Sequence, residues 1–318
     1  MVRSAAALAA ALLLGPLPFV PGAARAQTSP VTIVVNFGPG AGNDVAARIA
    51  AAEFAQELGQ PFVVKNSTGA AGTIGAIEVV RARPDGQTLL LSPIGPVTVQ
   101  PSFMRNAGYR TADLAPICQM TDAALVIQTP RNSGLRTMAD LEAKARAANG
   151  AMPYGSTGPG TLTHLSMVAW TRAARVPMSH VPYRSPGDVI FAMQQGGVAV
   201  LSDQPATVRP NDLHVLAVFA PERLPEFPDA PTLRELGHDL SFSIWQGLFA
   251  PAGTPAATIA RYEAACAKAV RSQAFRAGME RIQTPVVHRD AAAFAALVAR
   301  DAERMRTMIE EGGLRQAE

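Results

Sequence analysis

Val31-Thr-Ile-Val-Val-Asn36 runs into Phe37-Gly-Pro-Gly-Ala-Gly-Asn-Asp44, and an alanine-rich stretch follows to Leu58. The β-branched run suits a strand. The glycine cluster suits a tight turn, and the alanines suit a helix. Further along, Met152-Pro-Tyr-Gly155 runs into Ser156-Thr-Gly-Pro-Gly-Thr-Leu-Thr-His164 and an apolar stretch to Ala174, with the same design. A helix N-terminus presents backbone N–H groups without intrahelical partners and a partial positive charge. Glycine lets that backbone approach a ligand closely. Two such ends facing one cleft would hold a small anion without lysine or arginine. Neither turn contains a basic residue.

The rest of the chain extends this pattern. Strands are predicted at 31–36, 62–65, 88–92, 124–128, 152–155, 179–181, 198–202 and 215–219. Helices are predicted at 45–58, 73–83, 138–148, 162–174, 187–195, 256–272 and 291–311. Short apolar strands between amphipathic helices imply an α/β fold with mostly parallel sheets covered on both faces. Asn43 and Asp44 can cap the first helix, and Thr137 with Asp140 the helix after them. Each glycine-rich turn opens its own run of alternating elements, which implies two similar lobes with a cleft between them. The expected division is 27–121 with 220–318 in the first lobe and 122–219 in the second. The stretch 114–130 is the expected first crossover.

Arg3, the unbroken apolar run Ala5 to Leu14 and Ala24-Arg25-Ala26 read as a signal peptide over residues 1–26. The apolar run is too short to span a bilayer. Export to the periplasm is therefore expected. Residues 1–26 hold two of the 28 basic side chains and none of the 25 acidic ones, so the remainder has a net charge of +1. That balance, spread along the chain, argues against nucleic-acid binding. Cys118 and Cys266 are the only cysteines. In an oxidising compartment they can pair, or stay as two buried thiols.

Several short motifs, in order, resemble one family. After the first turn come Leu58-Gly-Gln-Pro61, Val63-Val-Lys-Asn66, Gly69-Ala-Ala-Gly72 and Pro84-Asp-Gly86. Tyr154-Gly-Ser156 with His164, His180-Val-Pro-Tyr183, Asp229-Ala-Pro-Thr232 and Leu248-Phe-Ala-Pro-Ala-Gly-Thr-Pro255 follow. The chain resembles, from about residue 30 to about 313, the Bug proteins, solute-binding receptors of tripartite tricarboxylate transporters. The resemblance implies a two-lobed periplasmic-binding-protein fold of type II, a venus flytrap. It also implies a small carboxylate, amino acid or aromatic acid as ligand, held between the two turns, and membrane transporter subunits or a sensor as partner. A monomer is expected, with no cofactor and no metal. The chain departs from the family pattern at Gly38, Ala41, Asn43, Lys65 and Asp203-Gln-Pro-Ala206, so a relative's ligand does not transfer directly.

The candidate ligand-binding residues are Phe37, Gly40, Ala41, Gly42, Asn43 and Asp44 in the first turn. In the second they are Ser156, Thr157, Gly160, Thr161 and His164, with Asp203 at the end of a strand. Asn43 offers an amide to a ligand or caps the helix. Asp44 reads as structural, since its charge repels a carboxylate. Ser156, Thr157 and Thr161 supply hydroxyls for a ligand or for capping. Phe37, Tyr183 and Trp245 are candidate pocket walls. Enzyme motifs are missing: there is no Gly-x-Ser-x-Gly elbow, no phosphate loop, and no metal-binding spacing among the histidines at 164, 180, 214, 238 and 288. The competing reading is an exported hydrolase using Ser156 and His164. Peptidase cleavage after Ala26 predicts that N-terminal sequencing of the exported protein begins at Gln27. Retention of Met1 in a membrane fraction would refute export by this route.

Overall fold

The computed structural model describes residues 29–316. The expected signal peptide lies outside them. Strand β1 (Val31–Val35) is almost wholly buried. It pairs in parallel with β2 (Phe62–Asn66) and β3 (Thr88–Pro93). Helix α1 (Gly42–Leu58) joins β1 to β2, and α2 (Thr73–Val80) leads to β3. Ala46, Ala47 and Ala50 of α1 have no exposed surface, so small side chains bring this helix close to the sheet.

After β3 the backbone forms a π-helical turn (Gly95–Val99) and the short α3 (Gln100–Phe103). Strands β4 (Leu114–Ala124) and β5 (Val126–Pro130) then carry the chain across, within the expected crossover. The second lobe continues with α4 (Met138–Ala147), β6 (Pro153–Ser156), α5 (Leu162–Ala173), β7 (Ser179–Pro182), α6 (Pro186–Gln194), β8 (Val200–Asp203) and β9 (Leu213–Val218). The chain returns through β10 (Ser243–Pro251) and ends with α7 (Ala256–Ala269), α8 (Gln273–Arg281), β11 (Val286–Arg289) and α9 (Ala291–Glu311).

Two sheets result, with strand orders β11-β4-β10-β3-β1-β2 and β7-β6-β8-β5-β9. The expected parallel arrangement holds only in the half of each sheet that carries a glycine-rich turn. β10 pairs antiparallel with β3 and β4, and β5 pairs antiparallel with β8 and β9. The cause is the crossover: a strand arriving from the other lobe enters its sheet from the opposite end. The expected division after 121 falls inside β4. The segment after 219 still hydrogen-bonds to the second lobe, through Val218 N–H to the Pro231 carbonyl and Leu233 N–H to the Val218 carbonyl.

One core lies between the first sheet and α1, α7 and α8. A second covers the other face and continues without a break into the second lobe, through Phe103, Leu162, Trp170, Phe219 and Phe242. A third packs α6 on the second sheet. Trp245 belongs to the second core rather than to a pocket wall. Its side chain is fully buried and its Nε1 donates to Asp301 Oδ2 at 2.8 Å.

Cys118 on β4 and Cys266 on α7 form a disulfide, with Cα atoms 6.6 Å apart and a sequence separation of 148. A cross-link over so long a loop removes much freedom from the unfolded chain. The double variant Cys118→Ala/Cys266→Ala is expected to lose about 2–5 kcal/mol in urea unfolding. A loss near zero would show that the bond contributes nothing to stability.

Candidate functional site

The first turn is organised around Asp44, which is buried in the opening turn of α1. Its Oδ2 accepts from Gly40 N–H at 2.9 Å and from Arg48 Nε at 3.0 Å. Its Oδ1 accepts from Arg48 Nη2 at 2.8 Å and from Asn66 Nδ2 at 2.9 Å. Asn66 Nδ2 also donates to the Phe37 carbonyl at 2.8 Å. Burial alone would raise the Asp44 carboxyl. The Arg48 guanidinium, the Gly40 N–H and the Asn66 amide together hold it below the usual carboxylate range. Asp44 thus shapes the turn, in line with the structural role expected from its charge. Gly40 is exposed, and Ala41 takes an extended conformation just before Gly42 opens the helix. Asn43, 4 % exposed, keeps a buried Nδ2 with no hydrogen-bond partner. Phe37 is half-buried, its ring close to Gly72.

Hydroxyls and imidazoles build the second turn. Thr161 caps α5, accepting from His164 N–H and donating to the Gly158 carbonyl at 2.7 Å. Thr163 Oγ1 accepts from Thr157 N–H at 3.1 Å and lies 2.9 Å from the hydroxyls of both Thr157 and Thr161. Gly160 N–H donates to His164 Nδ1 at 3.2 Å. The His164 ring stacks on His180 at 4.0 Å, and His180 stacks on Tyr154 at 5.2 Å. Burial, with His180 alongside, pushes His164 down to about 4, and burial also lowers His180. Both rings are therefore neutral near pH 7.

His164 is not the partner of Ser156. Ser156 Oγ lies 2.6 Å from His180 Nε2, and it also accepts from Gly158 N–H at 3.1 Å. Ser156 is fully buried. The hydroxyl is thereby tied into the turn. His180 appeared in the sequence only within a short motif. Its link to Ser156 spans 24 residues and arises from the parallel register of β6 and β7, which pairs Tyr154 with His180.

Gly160 meets the first lobe. It has φ +70°, and a Cβ there would stand 2.6 Å from the Phe103 ring of α3. Gln100 of α3 reaches the Gly160 carbonyl at 3.4 Å. At its other end the π-helical turn abuts Gly72, where a Cβ would meet Pro96, Asn36 and Phe37. A continuous path of contacts thus links the surroundings of the two turns.

Asp203 ends β8, 6 % exposed. Its Oδ1 accepts from Gln204 N–H at 2.8 Å, while its Oδ2 is buried without a donor. Burial pushes its carboxyl up to about 6, against the opposing effect of that N–H. Tyr183 packs at the edge of the third core, half-buried.

Known proteins resemble this chain along most of its length. The profile of the tripartite tricarboxylate transporter family receptors matches residues 46–314. Protein BugT of Bordetella pertussis is 32% identical over 232 residues, 71% of each chain. Among solved structures, MatC from Rhodopseudomonas palustris with bound malate is 27% identical, with a TM-score of 0.75 over 88% of this chain and 98% of its own. A TctC solute binding protein from Polaromonas is also 27% identical, with a TM-score of 0.77 over 89% of this chain and 98% of its own. The periplasmic binding protein BugD is 26% identical, with a TM-score of 0.75. These two-lobed neighbours share the type II fold expected from the sequence. The chain belongs to the family of solute-binding receptors of tripartite tricarboxylate transporters.

Proposed function

We propose that this receptor works in the periplasm, delivered there by the signal peptide at 1–26. As a monomer it captures one small organic acid between its lobes and presents it to the membrane subunits of its transporter. The observation that carries this reading is the pair of glycine-rich helix starts, one per lobe, with a buried unpaired group beside each. Asn43 Nδ2 in the first lobe lacks an acceptor, and Asp203 Oδ2 in the second lacks a donor. Buried polar atoms in folded proteins are nearly always hydrogen-bonded, so such orphans point to a ligand. Malate bound to MatC supports a carboxylate as the ligand class. In this reading the N–H groups of residues 42 and 43, the Asn43 amide and the Thr157 side of the second turn receive the acid. Asp203 accepts a hydrogen bond from its far end. Asp44, Ser156, Thr161 and His164 hold the two turns in shape, Gly160 seats one lobe on the other, and Phe37, Gly40 and Ala41 form the rim.

A hydrolase would need a nucleophile that its substrate can reach. The 2.6 Å contact of Ser156 Oγ with His180 Nε2 has the spacing of a nucleophile and its base, but Ser156 has no exposed surface, which favours the receptor reading. Native mass spectrometry of protein from periplasmic extract is expected to find one co-purifying acid, with an affinity of order micromolar, about 8 kcal/mol. Asn43→Leu is expected to weaken its binding at least about tenfold in calorimetry, with unchanged circular dichroism. Unchanged affinity would move the site elsewhere.

Ligand contact with both lobes favours the closed form by its difference in affinity between closed and open states. Small-angle scattering should therefore give a smaller radius of gyration with saturating ligand, and an unchanged radius would exclude flytrap closure.

Asp203 adds a pH dependence. Its folded pKa of about 6 exceeds the ordinary 3.8. Its contribution to stability is therefore greatest below the unfolded value and is lost as pH rises through about 6. Asp203→Asn removes that slope. The stability of the wild type relative to this variant is expected to fall by about 2 kcal/mol from pH 4 to pH 7. Parallel profiles for the two proteins would contradict it.

A further inference from the structure

Strand β10 alternates between two cores. Trp245 and Phe249 face one, while Leu248 and Ala250 face the other, beneath α1. Gln246 is the next residue on the α1 side, at the end of the strand where α1 begins. Continued alternation would place an aliphatic side chain here, and the chain places an amide instead. Gln246 is 5 % exposed. Its Nε2 stands 3.4 Å from where a Cβ on Gly42 would lie, so the amide abuts the N-terminus of α1. Its Oε1 is buried and has no donor. Across the antiparallel register Gln246 faces Thr121, whose Oγ1 is also buried and without a partner. Asn43 Nδ2 at the same helix start and Thr121 Oγ1 on the neighbouring strand are thus two further buried polar atoms without protein partners.

The chemistry of these groups discriminates among acids. An ionised carboxylate only accepts hydrogen bonds. It satisfies the N–H groups of the turn and the Asn43 amide, but it offers nothing to Gln246 Oε1. A ligand that does so carries a donor next to its carboxylate. A hydroxyl donates to Gln246 Oε1 and accepts from the Thr121 hydroxyl, which completes both. Neither residue carries the charge that an ammonium group would seek.

We infer that Gln246, backed by Thr121, contacts the ligand and selects hydroxy-substituted carboxylic acids over their unsubstituted counterparts. This inference rests on the carboxylate-receptor reading and names the substrate class within it. A site built to hydrogen-bond a hydroxyl disfavours the analogue that lacks it, because its own polar groups are left unpaired.

The test is calorimetry on the mature chain with matched acids: L-malate against succinate, L-lactate against propionate, and L-aspartate as the amine counterpart of malate. The hydroxy acid of at least one pair is expected to bind about tenfold tighter or more. In Gln246→Leu that preference should shrink to within about threefold, chiefly by weaker binding of the hydroxy acid. The same variant should melt no lower than the wild type, because no protein group donates to the buried Gln246 Oε1. A marked drop in melting temperature would assign Gln246 a structural role and overturn the inference. So would equal binding within both pairs, a preference that survives Gln246→Leu, or a preference for aspartate that Gln246→Leu abolishes. If none of these acids binds while mass spectrometry finds another acid on the protein, the receptor reading stands and the hydroxy-acid assignment falls. If nothing binds and nothing co-purifies, both fall.

Discussion

A single buried carboxylate, Asp44, holds the first glycine-rich turn in shape. Asp44 ties together the Gly40 N–H, the Arg48 guanidinium and the Asn66 amide, which come from the turn, the helix and the end of the neighbouring strand. Asn66 passes the constraint on to the Phe37 carbonyl. A carboxylate near a helix N-terminus is stabilised by the partial charge there. Left alone it would also repel an incoming anion. Arg48 offsets that repulsion, and its guanidinium is half-exposed, so the compensation lies at the protein surface. The hydrogen bonds to Asp44 fix the shape of the turn from within the protein.

The second turn reaches a similar end by neutral chemistry. Three threonines, a serine and two uncharged imidazoles knit the loop into β6, β7 and α5. Neither lobe offers an exposed lysine or arginine from its turn. On the proposed reading, much of the binding energy comes from oriented backbone dipoles, which cost no side-chain entropy to hold in place. Dipoles also attract less strongly at long range than full charges, so capture should depend little on ionic strength compared with an arginine-lined site.

The parallel units were legible because they are local. A strand, a glycine turn and a helix each leave their own pattern, and the helix expected at 291–311 coincides with α9. What escaped was set by contacts between distant segments. β10 was not predicted, since Trp245-Gln-Gly247 interrupts its apolar run. Gly247 is required there because the Phe294 ring packs directly on it, where a Cβ would collide with the ring. β11 is only four residues long and half-exposed, and it exists by pairing with β4. In the candidate site, the two glycine-rich turns could be read from their motifs, and the structure places a helix start after each. The partnership of Ser156 with His180, and the place of Gln246 beside Gly42, depend on sheet register and on a return strand from the other lobe.

The disulfide has a consequence for the second lobe as a whole. Cys118 precedes the crossing into that lobe and Cys266 follows the return from it, so the covalent ring they close contains the second lobe entire. A protease that cuts one exposed loop of this lobe leaves the two fragments joined. Such a nicked chain stays one molecule, its halves held by sulfur as well as by the shared core. A cut within the ring therefore divides the backbone without dividing the molecule.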